Sequence, residues 1–145
     1  MKVIIAGRVA VETNGVVIDE RRFPGRQARL LFAYLVAEQG RPVPRDELAE
    51  ALWGEAPPAT WDTALTVLVS KLRGLLADRG IDDATVTSAF GCYRLDLPEG
   101  SWVDVLAAAN AVQAAEEALA LGDMEKAKAT AALAASLLRQ PFLPG

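Results

Sequence analysis

One run of residues restricts the folds open to this chain more than any other. Arg41-Pro42-Val43-Pro44-Arg45 leads into Asp46-Glu47-Leu48-Ala49-Glu50-Ala51-Leu52-Trp53, and Gly54 to Pro58 separates that stretch from a longer helical pattern carrying Val69-Ser70-Lys71-Leu72-Arg73. Pro44 suits the first turn of a helix, where its missing N–H costs nothing, and Asp46 and Glu47 meet the positive end of the dipole. Leu48, Leu52 and Trp53 form the apolar face of this short helix. Thr60 is placed to cap the longer helix, and Gly80 to end it. At ~100° per residue, Leu65, Leu68, Val69, Leu72 and Leu76 share one stripe. Thr63, Thr66, Val67, Ser70 and Gly74 then point the other way, with Lys71 and Arg73 on the flanks. Ala84 to Thr87 and Gly91 to Leu97 alternate as two strands around Ser88-Ala89-Phe90-Gly91. Helix, loop, longer helix and hairpin is the order of a winged helix-turn-helix, whose second helix is the size of probe that fits a DNA major groove.

The flanking segments extend this core. Val3 to Val11 is β-branched and aliphatic, interrupted at Arg8, and Asn14-Gly15 supplies a type I′ turn into Val16-Val17-Ile18. Arg21-Arg22-Phe23 is expected to add a third strand, before Pro24-Gly25 ends the sheet. Leu30, Leu31, Tyr34 and Leu35 predict a helix over 27–39 with its stop at Gly40. Pro98-Glu99-Gly100 marks a boundary. Beyond it the composition turns alanine-rich, predicting helices over 105–121 and 124–138 around a Gly122-Asp123 break, close-packed as in helical-repeat hairpins. Pro141-Phe142-Leu143-Pro144-Gly145 reads as a loop. The expected class is α+β: a winged helix with an N-terminal antiparallel sheet over residues 1–99, then a helical hairpin over 100–145.

Composition removes several kinds of chemistry. The 145 residues contain no histidine and one cysteine, so the commonest general base and any Cys/His metal set are lacking. There is no phosphate-cradling glycine loop. No enzyme activity and no cofactor are expected. A lone cysteine fits a reducing cytoplasm, and no apolar run reaches the ~20 residues of a membrane span, so no membrane partner is expected. The opening Met1 to Gly7 is too short, and too soon followed by Arg8, for a signal peptide. The net charge is −4, and residues 1–100 hold twelve lysines and arginines against fourteen acids. DNA binding therefore needs the arginines clustered locally.

Five segments, in order, resemble one family. They are Phe23-Pro24-Gly25-Arg26-Gln27, Arg41 through Leu48, Ala51-Leu52-Trp53-Gly54, Leu68 through Arg73, and Gly91-Cys92-Tyr93-Arg94-Leu95. Together they resemble the SARP-type antibiotic regulatory proteins, which join an OmpR/PhoB-type winged helix to an all-helical bacterial transcriptional activation domain. Val103-Asp104, the two alanine-rich helices and Arg139 to Gly145 resemble the opening of that second domain, which is TPR-like. The resemblance implies a transcriptional activator that binds double-stranded DNA at direct repeats in promoters and contacts RNA polymerase; a single module would bind weakly, and two copies on the repeats would gain through effective concentration. It makes the 60–77 helix the recognition helix and places Arg94 in the wing.

Each candidate residue has a plainer reading beside its functional one. Lys71 and Arg73 are expected to grip phosphates, or else to be a solvated cationic helix end. Thr63, Thr66 and Ser70 would meet base edges or thymine methyls, or be ordinary surface; Val67 on the same face offers no hydrogen bond. Arg94 would lie along a minor groove, or pair with Asp96 or Glu99. Trp53 and Trp61 read as packing, Cys92 as a small strand hydrophobe, and Arg21, Arg22, Arg26 and Arg29 as offsets to Asp19 and Glu20. The alanine-rich helices read as packing on the winged helix, with a partner-docking or dimer surface as the rivals. The competing function is a winged helix that has lost DNA binding and serves protein interaction or signal coupling. The net negative charge and the presence of Val67 and Gly74 on the outer face motivate it.

Overall fold

The computed structural model describes residues 1–82 and 84–138, so the loop expected at 141–145 lies outside the described residues. β1 (Lys2–Ile4) pairs antiparallel with β2 (Ala10–Thr13), and β2 with β3 (Val16–Ile18). The aliphatic run from Val3 to Val11 is thus two strands, between which Gly7 takes a φ of 82°. Asn14 (φ 49°) and Gly15 (φ 80°) supply the two left-handed residues of the tight turn into β3. The third strand expected at Arg21–Phe23 does not form. Glu20–Arg22 is a single 3-10 turn, because the Asp19 carboxylate accepts from the Arg21 N–H at 2.9 Å and takes the donor a ladder would use.

α1 (Arg26–Ala37) turns Leu31, Phe32, Leu35 and Val36 into the core. A two-residue strand, β4 (Val43–Pro44), leads directly into α2 (Arg45–Trp53), with Pro44 at the cap position rather than inside the first turn. α3 (Trp61–Asp78) follows, and its buried residues are Leu65, Leu68, Val69, Leu72 and Leu76, the stripe that the helical spacing predicts. Each such side chain contributes roughly 1.5–3 kcal/mol when fully buried, and together they join α1 and the sheets in one core. Thr60 stands at the α3 cap, but its side chain makes no capping hydrogen bond. The wing is β5 (Thr85–Ala89) and β6 (Cys92–Asp96), with β4 paired on the far side of β6.

The two segments on either side of Pro98 share a sheet. β7 (Trp102–Val103) runs parallel to β1 and completes the order β3-β2-β1-β7. The next residue, Asp104, is 4% exposed and accepts from the Ile5 and Ala6 N–H groups at 3.0 Å each. It also accepts from the Val105 N–H at 2.9 Å in the first turn of α4 (Asp104–Ala120), whose cap position is Val103. α5 (Met124–Leu137) returns against α4, its first turn capped by Asp123. The hairpin buries alanines, among them Ala108, Ala111, Ala115, Ala118, Ala127 and Ala134, while Leu119, Leu121, Met124 and Leu133 stay exposed. No described helix is long and apolar enough to cross a membrane.

Candidate nucleic-acid interface

With its apolar stripe committed to the core, α3 presents the opposite side to solvent. Thr63, Thr66, Val67, Ser70, Lys71, Arg73 and Gly74 are all exposed, so neither the sheets nor the helical hairpin covers this face. A Cβ added at Gly74 would meet nothing within 4 Å. The acids of α3, Asp62 and Asp78, sit at its two ends and leave the middle of the outer face without a carboxylate. Lys71 makes no ion pair among the described residues.

The start of α3 is tied to the wing by a residue that helical periodicity gives no reason to select. Arg45 opens α2, where a cation opposes the helix dipole. Its side chain reaches across to α3: Nε donates to Asp62 Oδ1 at 2.7 Å, and NH2 donates to the Asp62 carbonyl at 2.6 Å and to Thr66 Oγ1 at 2.9 Å. NH1 donates to the Tyr93 hydroxyl on β6 at 2.5 Å, and the Arg45 backbone N–H donates to the Gly91 carbonyl at 3.1 Å. The guanidinium carbon lies 5.2 Å from the Tyr93 ring centroid. Burial works against the Arg45 charge, but the hydrogen bond and charge of Asp62 and the Tyr93 hydroxyl outweigh it and hold the group above its ordinary value. The arginine side chain is 21% exposed and its Asp62 partner 72%. A cation placed against the dipole at the head of a helix is the one local sign in the sequence that Arg45 has a partner elsewhere.

These bonds redistribute the roles expected along the helix. The Thr66 hydroxyl is occupied on both sides, accepting from Arg45 and donating to the Asp62 carbonyl at 3.1 Å; its methyl remains for an apolar contact. Arg73 donates from Nε at 3.0 Å and NH2 at 2.8 Å to the Val86 carbonyl of β5, and stands 6.0 Å from the Tyr93 ring. It braces the wing with two of its N–H groups. Arg94 pairs with Asp96 at 3.0 Å on the outer side of the wing. Both partners are about half exposed, and a surface pair of this kind is worth ~0–1 kcal/mol, so Asp96 holds the guanidinium only weakly. Lys71, Ser70, Thr63 and Val67 thus share the open helix face, whereas Arg73 and Arg94 belong to the wing side.

Behind the interface, α1 and α2 are joined by Tyr34, whose hydroxyl donates to Glu47 at 2.6 Å. Arg41 donates to Glu47 as well and to Glu38 at 3.0 Å. The Glu47 hydrogen bond, burial and the nearby carboxylate charges push the Tyr34 hydroxyl up to about 12. Glu47 is held below the usual carboxylate value by Arg41 first and Tyr34 second.

Residues 23–95, from the loop before α1 to the return strand of the wing, match the family described as transcriptional regulatory protein, C terminal. The regulatory protein AfsR of Streptomyces coelicolor is 36% identical over 99 residues, covering 68% of this chain and 9% of its own length. The transcriptional regulatory protein EmbR of Mycobacterium tuberculosis is 40% identical over 74 residues, covering 50% of this chain and 19% of its own length. A solved structure of Mycobacterium tuberculosis EmbR, in complex with a low affinity phosphopeptide, superposes with a TM-score of 0.75 at 29% identity, covering 98% of this chain and 37% of that one. The matched segments therefore cover only 9% to 19% of the length of these curated relatives, and the superposed chain 37% of the EmbR structure. The resemblance to SARP-type regulators and the winged-helix class both agree with these matches.

Proposed function

The chain belongs to the transcriptional regulatory protein, C terminal, family, and from that premise we propose that it is the DNA-binding part of a transcriptional activator. α3 enters the major groove. Lys71 contacts a phosphate, Thr63 and Ser70 meet base edges, and Val67 and the Thr66 methyl lie against thymine methyls or sugar. Arg73 and Arg45 act one step back, holding the wing and the head of the helix in register. Arg94 exchanges Asp96 for a phosphate beside the minor groove. Direct repeats in a promoter would seat two copies, which offsets the weak electrostatic footprint of a chain with net charge −4. The helical hairpin then carries the contact with RNA polymerase or with the rest of a larger regulator.

The observation that carries this reading is an uncovered α3 face without carboxylates in its middle, hydrogen-bonded at its head to the wing by Arg45. Selection of bound sequences from random double-stranded DNA with this chain tests it, followed by salt titration of the winning duplex. An enriched repeated motif is expected, and Lys71→Ala should weaken every duplex alike while reducing the salt slope by about one. No enrichment, with binding instead to a protein partner, favours the interaction-module reading.

A further inference from the structure

The tip of the wing carries a side chain for which the fold has no use. Phe90 and Gly91 turn β5 into β6 with φ of 54° and 72°, two left-handed residues in succession. Asn, Asp or Gly is favoured at the first position, and a bulky aromatic at positive φ is an outlier. The ring gains nothing in exchange, since its exposure is 104%, that of a side chain touching nothing. Asn14-Gly15 shows that the same chain places the favoured residue where only the turn matters.

Position gives the ring its meaning. Gly91, the next residue, accepts from the Arg45 backbone N–H at 3.1 Å, and the Arg45 side chain holds Thr66 on the outer face of α3. The tip is thus connected to the helix face through one residue. On the outer side of the hairpin Thr87 lies opposite Arg94 and Ala89 opposite Cys92. With Pro42 and Phe90 they line an open concavity of ≈ 570 Å³ whose one charge is the Arg94 cation. A single projecting ring beside a cation fits a narrow slot walled by phosphates. A protein interface would be expected to supply a cluster of anchors instead.

We propose that Phe90 is an apolar wedge that enters the DNA minor groove next to the major-groove segment held by α3. The ring presses on sugars and base edges and partly unstacks one base step, while Arg94 takes the adjoining phosphate. Phe is among the side chains that wedge between base steps in this way, and the distortion costs least at flexible pyrimidine–purine steps. The wing then reads sequence through deformability, at a step it contacts without base-edge hydrogen bonds. The inference rests on the DNA-binding reading of α3.

The test uses the intact chain and a duplex that the chain itself selects from random DNA, with a fluorescent adenine analogue, brighter when unstacked, at the flanking step. Phe90→Asn restores the favoured turn pair, so its unfolding midpoint should equal or exceed that of the parent. It should nevertheless bind about tenfold more weakly, as expected for loss of one aromatic contact with a base. The fluorescence rise and the flanking pyrimidine–purine preference should vanish, and Phe90→Trp should retain both. Unchanged affinity and fluorescence in Phe90→Asn overturns the wedge while leaving the α3 reading intact. Failure of the parent chain to select any duplex overturns both.

Discussion

The two sheets are each pinned by a charged side chain holding backbone groups, and they differ in the sign of that charge and in its exposure. In the N-terminal sheet an anion, Asp104, is buried and accepts from two successive N–H groups of the opposite end of the sequence. In the wing sheet cations do the holding from the surface. Arg73 donates to the Val86 carbonyl, and Arg45 reaches Tyr93 and receives the Gly91 carbonyl on its own N–H. The first arrangement is fixed, because an unpaired N–H in that interior would have no water to replace its acceptor. The second is less enclosed, because its bonds are only part-buried and Arg73 reaches them from an exposed position. One sheet is enclosed by the fold, and the other borders the proposed DNA-contacting face.

The largest effect is expected where the fixed sheet is broken. Asp104→Ala leaves the Ile5 and Ala6 N–H groups buried without an acceptor and removes the Val105 bond in the first turn of α4, and should cost about 3 kcal/mol in urea unfolding. It should also separate the melting of α4 and α5 from that of the winged helix. A loss under about 1 kcal/mol would mean that water reaches those groups and that the two sheets are held alike.

Next comes the less enclosed sheet. Arg45→Ala should cost only about 1 kcal/mol in stability, yet lower affinity for a selected duplex roughly tenfold, because the head of α3 and the wing would lose their common register. Faster amide exchange in residues 85–96, with the middle of α3 unaffected, would mark the uncoupling. Equal losses of stability and affinity would make Arg45 an ordinary structural arginine.

The smallest effect concerns the α1–α2 link on which β4 and the wing rest. Raising the Tyr34 pKa favours the neutral phenol in the fold, so that contribution is present below the ordinary tyrosine value of 10.0 and is lost as pH climbs toward about 12. Lowering the Glu47 pKa works in the other direction: its contribution is present above the ordinary value of 4.5 and is lost as pH falls below it. Tyr34→Phe should therefore flatten the alkaline limb of a stability–pH curve and reduce the acid limb, where Arg41 remains. An alkaline limb identical to the parent's would remove Tyr34 from the account.

What the sequence disclosed depended on how local the signal was. The α3 stripe, the Asn14-Gly15 turn and the Gly122-Asp123 break rest on spacing or on the chemistry of two adjacent residues, and all three stand in the structure. β4 and β7 are two residues each, shorter than any period can register, and β7 finds β1 across 100 residues of chain. The false strand at Arg21–Phe23 came from β-like composition that a single Asp19 hydrogen bond overrides. Within the interface, exposure of Thr63, Thr66, Val67, Ser70 and Lys71 followed from helical geometry. The bracing by Arg45, Arg73 and Tyr93 did not, since its partners lie 13 to 48 positions apart and obey no repeat.

Amide chemical shifts of the intact chain titrated with a selected duplex test whether the outer face of α3 and the wing act as one DNA-binding surface. Perturbations are expected to concentrate in residues 62–74 and 87–94, with α4 and α5 little affected. Shifts confined to α4 and α5, with α3 silent, would contradict such a surface.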